Sequence, residues 1–159
     1  MRVEIRIDAG DWPPVRLLRT LAQRVVGAAV EAGLDLPPEA EVSFLFTDDA
    51  HMAKLNADWR GIEKSTNVLS FPAGASSSKD PGFRPFLGDV VLALETIRGE
   101  SGEQGLKFED HLTHLVLHGF LHLLGFDHVK DDEADRMEGL EATILGGLGI
   151  KDPHRTSRA

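Results

Sequence analysis

Val3, Ile5 and Ile7 alternate with charged neighbours, which predicts a half-buried strand over residues 2–8. After the breaker Asp11-Trp12-Pro13-Pro14, apolar residues recur at Leu18, Leu21, Ala22, Val25, Val26 and Ala29. That is the i, i+3, i+4, i+7 series of an amphipathic helix, and Gly33 is placed to end it. Glu41–Phe46 reads as a second strand; strand, helix and strand in this length predict a right-handed crossover with parallel pairing. Thr47 or Asp48 can cap a short helix over residues 49–57. Thr66–Phe71 and Asp89–Leu94 are two further strands, the second almost wholly apolar and so covered on both faces. Between them, Pro72–Phe86 is rich in Gly, Ser and Pro and reads as a mobile, solvated loop rather than a lid. Residues 107–124 form the most apolar helix. Asp131 and Asp132 open a last helix with Ala134, Met137, Leu140, Glu141, Ile144 and Leu145 at helical spacing, and the polar stretch Lys151–Ala159 reads as a flexible tail. No repeat divides the chain. The expectation is an α+β fold over residues 1–150, a small mixed sheet packed on helices with a central His-bearing helix.

Composition narrows the chemistry. A chain of 159 residues suits one domain with a sizeable core. It has no cysteine, so any transition-metal site must use His with Asp or Glu. The net charge of −9 counts against a general nucleic-acid coat protein, while leaving room for an enzyme with one local basic patch. The first residues interleave charge with apolar side chains, unlike a signal peptide, and no run approaches the roughly 20 apolar residues of a membrane span. The expectation is a soluble cytoplasmic protein with no membrane partner.

Five of the seven histidines fall between residues 111 and 128, where the chain reads HGFLHLLGFDH from His118. On a helix, His118 and His122 project from one face, one turn apart. Gly125 can take a positive φ and turn the chain so that His128 folds back as a third ligand. Three protein ligands leave a fourth tetrahedral position, the catalytic pattern for zinc, at one ion per chain. Imidazole also suits nickel, copper or iron, and zinc is the leading choice. Core packing is a poor alternative, because three buried imidazoles without partners cost on the order of a kcal/mol or more each. His114 is read as lying on the helix surface, with support of a ligand as the alternative. His111 and His154 fall outside the pattern, and His51 is read as exposed.

The spacing matches the long zinc-protease signature H-E-x-x-H-x-x-G-x-x-H except that Gly119 stands where that signature has its general base. Glycine cannot move a proton, so a peptidase is disfavoured.

At these residues the chain resembles the YbeY family of bacterial rRNA-maturation endoribonucleases. The resemblance runs through Leu55–Arg60 with Thr66–Pro72, then Leu87–Val91, then His118–His128. It implies a zinc-dependent, single-strand-specific endoribonuclease acting in small-subunit rRNA 3′-end maturation and ribosome quality control. Its implied partners are single-stranded RNA, ribosomal RNA and the small ribosomal subunit, not DNA. It also implies zinc on His118, His122 and His128, and a functional role for Arg60. A guanidinium can hold a phosphodiester through paired hydrogen bonds and stabilise charge developing during cleavage. Lys54, Lys64 and Arg84 could widen a phosphate-binding patch or be solvated charges. Ser70 and Asn67 could orient RNA or the metal site, or cap a strand. Asp127 could fix the tautomer of a ligand His or cap the turn at Gly125. Two other readings stay open: a metal hydrolase of another substrate such as a peptide, and a non-catalytic, zinc-stabilised ribosome-associated module. The general base, the cleavage site and the oligomeric state are not legible in the sequence.

Overall fold

The computed structural model describes residues 1–37, 39–73, 85–126 and 130–151. Its elements run β1 (Arg2–Ile7), α1 (Val15–Glu31), β2 (Glu41–Thr47), α2 (Asp49–Arg60), β3 (Val68–Pro72), β4 (Phe86–Ala93), α3 (Leu94–Gln104), α4 (Phe108–Leu123) and α5 (Asp131–Gly147). The four strands form one mixed sheet in the order β1-β2-β4-β3. β1, β2 and β4 are parallel, with Ile5 beside Phe44 and Phe44 beside Val90, and β3 runs antiparallel to β4. The α+β, single-domain expectation is met, as is the parallel pairing of β1 and β2.

Alternation along β4 explains its central place. Val90 and Leu92 point into the main core with Phe44, Phe46, Leu117, Phe120 and Leu121, whereas Val91 and Ala93 point to the opposite face and pack with Met52 and Leu69. All four β4 residues are buried, as a strand covered on both faces requires. α1 and α4 cover the first face, with α5 packed on those two helices; α2 covers part of the second. The apolar stripe of α1 is used, with Leu18, Ala22, Val25, Val26 and Ala29 buried and Leu21 half-buried. Among the described residues no helix is long and apolar enough to cross a membrane.

Several elements differ from expectation, β3 running Val68–Pro72 rather than Thr66–Phe71. α2 continues to Arg60, where Gly61 in the left-handed region ends it. β4 starts at Phe86 rather than Asp89, because pairing with Pro72 and Glu41 extends the sheet there. α3 was not anticipated at all. Its interior carries Gly99 and Gly102, poor helix formers, and only Leu94, Ile97 and Ser101 are buried. It is held by reciprocal capping: Asp49 accepts from Thr96 N (3.1 Å) and Thr96 Oγ1 (2.8 Å), while Glu95 accepts from Asp49 N (3.0 Å). This contact also fixes the start of α2, whose far end carries Arg60. Residues 74–84 of the expected loop and 152–159 of the expected tail lie outside the described residues, as does His154.

Asp48 is the N-cap of α2, accepting from His51 N at 2.9 Å, and the exposed His51 ring nitrogen Nδ1 lies 2.6 Å from the same oxygen. The side-chain hydrogen bond to Asp48 raises the His51 pKa above its ordinary 6.5. The backbone hydrogen bond from His51, ahead of the side-chain one, lowers the Asp48 pKa below its ordinary 3.8. The His51 contribution is therefore full below pH 6.5 and lost as pH rises through its raised pKa. The Asp48 contribution is full above pH 3.8 and lost as pH falls through its lowered pKa. An NMR titration should find the His51 midpoint above 6.5. Asp48→Asn keeps a capping side chain but removes the charge, and should bring that midpoint down. An unchanged midpoint in the variant would refute the pairing.

Candidate metal centre and its cleft

α4 is amphipathic in an unusual sense, since its second face carries a row of imidazoles. His111, His114, His118 and His122 follow one another with ring centroids 6.3, 6.1 and 4.7 Å apart. The adjacent face packs on the sheet, and at Gly119 the approach is close enough to exclude a side chain. A Cβ there would lie 2.5 Å from Val90 Cγ1, 3.1 Å from Val68 Cγ2 and 3.2 Å from Ser70 Oγ. Ser70 Oγ donates to the Gly119 carbonyl at 2.8 Å, pinning helix to strand.

His118 Nε2 and His122 Nε2 lie 3.2 Å apart. Two ligands at 2.0–2.1 Å on a tetrahedral ion are separated by about 3.3–3.4 Å, so this spacing is close to that of a pair sharing a zinc ion. On its other side, His118 Nδ1 meets Glu141 Oε1 at 2.6 Å. An ionised carboxylate only accepts, so Nδ1 carries the proton and the Nε2 lone pair is directed towards His122. Glu141, on α5, is 1% exposed, and its second oxygen lies 2.8 Å from His114 Nε2. His114 is therefore not the surface residue that its sequence position suggested: it is half-buried and shares a carboxylate with His118.

The same contacts give a second grouping. His114, His118 and Glu141 each offer a ligand atom, all within 4.8 Å of one another, and could hold a metal ion. The two Glu141 contacts of 2.6 and 2.8 Å are hydrogen-bond distances, shorter than the separation of two ligands around a tetrahedral ion.

Gly125 has φ 97°, and the turn closes with Gly125 N donating to His122 O and Phe126 N to Leu121 O, both at 3.1 Å. The chain thus leaves the helix where the sequence required it to. His128 and Asp127 lie outside the described residues.

His118 and His122 open into a cleft of about 850 Å³ that is also lined by Arg60, Trp59, Asn67, Ser70, Gly125 and Phe126. The structure thus brings Arg60, from the end of α2, to the same cleft as two of the three expected ligands. Lys54 and Lys64 are exposed, and Arg84 lies outside the described residues. Asn67 Nδ2 donates to Glu100, whose Oε1 also lies 2.9 Å from Nε2 of the buried His111. His111, outside the metal spacing, thus supports the cleft wall through Glu100 and Asn67. Glu141 was missed as a site residue, although an acid in the buried stripe Met137-Leu140-Glu141-Ile144 needs a partner and was itself the signal.

The chain matches the family described as "Endoribonuclease YbeY" over residues 11–149. It is 50% identical to the protein named "Endoribonuclease YbeY" of Rhizobium meliloti, covering 96% of this chain and 94% of that one. It is 49% identical to the protein of the same name in Rhizobium leguminosarum bv. trifolii, over 96% and 92% of the two chains. A Thermotoga maritima protein solved in solution shares the fold, with a TM-score of 0.57 at 21% identity over 95% of this chain and 97% of that one.

Proposed function

The chain belongs to the YbeY family of endoribonucleases, hydrolytic nucleases, and from that premise we propose that it is a zinc-dependent, single-strand-specific endoribonuclease of the cytoplasm. Its substrate is ribosomal RNA on the small ribosomal subunit, and its roles are small-subunit rRNA 3′-end maturation and ribosome quality control. Residues 1–150 act as one metal-dependent hydrolase domain and 151–159 as a tail. One zinc ion per chain is held by His118, His122 and His128. The observation that carries the reading is the 3.2 Å convergence of His118 Nε2 and His122 Nε2 in a cleft shared with Arg60.

When bound, zinc supplies Lewis-acid polarisation of water and of a phosphoryl oxygen. The remaining work falls to side chains of the chain itself. Glu141 holds His118 through Nδ1, which fixes the orientation of the ring and leaves Nε2 as the ligand atom facing the cleft. Arg60 pairs its guanidinium fork with two phosphate oxygens and steadies the charge that grows on them. Gly119 supports RNA over peptide, because position 119 carries no proton-transferring side chain and has no room for one.

The test is single-turnover cleavage of an end-labelled single-stranded RNA by protein as purified, stripped by a chelator, and reloaded with zinc. Arg60→Ala should keep fold and zinc but cleave on the order of 100-fold more slowly, as for loss of one electrostatic stabiliser. Arg60→Lys should recover only part, since it keeps the charge and loses the fork. Near-wild-type cleavage by Arg60→Ala would remove Arg60 from the mechanism.

A further inference from the structure

Trp59 is 70% exposed, although an indole is among the most favourable side chains to bury. The contrast with the other tryptophan is direct. Trp12 is buried, and its Nε1 donates to Ala9 O and Thr47 O, both at 3.1 Å. Trp59 therefore contributes little to the core, yet it is held in place. Its ring meets Phe71 edge-to-face, with centroids 5.7 Å apart and planes at 63°.

Its position is informative. Trp59 and Phe71 line the cleft that contains His118, His122 and Arg60, and they also line a neighbouring groove of about 510 Å³ on the second face of the sheet. That groove is floored by Leu45, Leu55 and Val91, with Arg6, Ser43, Ser70 and Asp89 as polar groups. Arg60, the next residue along α2, sits in the cleft. A flat aromatic surface beside a phosphate-binding cation, leading into an apolar groove with a few polar groups, matches the alternation of base and phosphate along single-stranded RNA.

Resting on the nuclease reading above, we propose that Trp59, braced by Phe71, is a stacking platform for an unpaired nucleobase flanking the scissile phosphate, and that the groove beyond it receives the neighbouring base. Phe71 leaves an indole face open for stacking. The site gives single-strand preference a physical origin. A base in a duplex already stacks on its neighbours and would have to be pulled out before it could lie on Trp59.

The probe is a six-nucleotide 2′-O-methyl RNA, which resists cleavage, alongside an abasic chain of the same length. The base-bearing oligomer should quench tryptophan emission in the wild-type protein and not in Trp59→Phe, where only the buried Trp12 emits. The abasic chain should bind more weakly and leave emission unchanged. In cleavage, Trp59→Leu should raise KM by about 5- to 100-fold, as for loss of one stacked base, with a nearly unchanged rate at saturation. Trp59→Phe should recover most of the affinity, and both variants should melt like wild type because the side chain is exposed. Equal affinity for the two oligomers, or an unchanged KM in Trp59→Leu, would overturn the stacking site while leaving the nuclease reading intact. Base-dependent quenching in a protein that cleaves no RNA would keep the stacking site and overturn the nuclease reading.

Discussion

Gly119→Glu should leave little folded protein to assay. Any side chain at this position begins with a Cβ 2.5 Å from Val90 Cγ1, well inside contact distance. Val90 is fully buried and β-branched on the central strand, so it has no flexible end to swing away. Val68 Cγ2 and Ser70 Oγ, at 3.1 and 3.2 Å, close the other directions. α4 must lift off β3 and β4, which strains the Ser70 bond to the Gly119 carbonyl. Overpacking of this kind costs about 1–3 kcal/mol for a methyl group. Glutamate adds a carboxylate wedged against valines, at several kcal/mol more. Against the 5–15 kcal/mol that holds a typical domain together, the sum removes most of the margin. Gly119→Ala should fold but melt about 5–10 °C lower, the gain in helix propensity offsetting part of the clash. Soluble yield, near-ultraviolet circular dichroism and thermal unfolding of the two variants decide it. A Gly119→Glu protein that melts like wild type would show that the helix-to-sheet contact is looser than the structure has it. The consequence for function is direct: the position that would hold a peptidase base is closed by packing.

The contrast between α1 and α3 shows what a single sequence reveals. α1 was legible because its buried residues, Leu18 to Ala29, repeat at helical spacing over about three turns and face one sheet. β1, β2 and β4 were legible for the same reason, by alternation or by a continuous apolar run. α3 was not, because it buries three residues and contains glycines, and what holds it is the Asp49–Thr96 and Glu95–Asp49 bonds across a separation of more than forty residues. Periodicity carries no trace of such contacts. The site divides in the same way. His118, His122, Gly125 and Arg60 follow a spacing or a motif, and the structure places all four around one cleft. Glu141 and the role of His114 depend on α5 lying against α4, which pairs residues 27 apart. Glu141 was visible only as an acid in an apolar stripe, and without the packing its partner could not be named. Trp59 sat inside a recognised block, and nothing in that block distinguishes a core tryptophan from an exposed one.

On the proposed zinc site, His122→Ala should lose most zinc binding, whereas Glu141→Gln should keep it with affinity lowered about 10- to 100-fold. The two variants separate the groupings on α4. If zinc lies between His118 Nε2 and His122 Nε2, His122 supplies one of three protein ligands, and its removal opens a second coordination position. Glu141 then acts only by holding His118 through Nδ1. Glutamine keeps the size and one acceptor oxygen, so one of its two histidine contacts survives and the ring stays near its position. If the ion instead sat among His114, His118 and Glu141, the order would reverse. Replacing the anionic ligand would strip the metal, and His122→Ala would retain it. Geometry favours the first order, because the 3.2 Å Nε2 separation fits a tetrahedral pair, while 2.6 and 2.8 Å match hydrogen bonds to a carboxylate. Zinc content after dialysis, and a chelator competition giving relative affinities, read both variants on one scale. Cleavage of single-stranded RNA should follow zinc occupancy: nearly absent in His122→Ala, and restored in Glu141→Gln when zinc is supplied in excess. Full zinc in His122→Ala together with loss in Glu141→Gln would move the metal centre one turn back along α4.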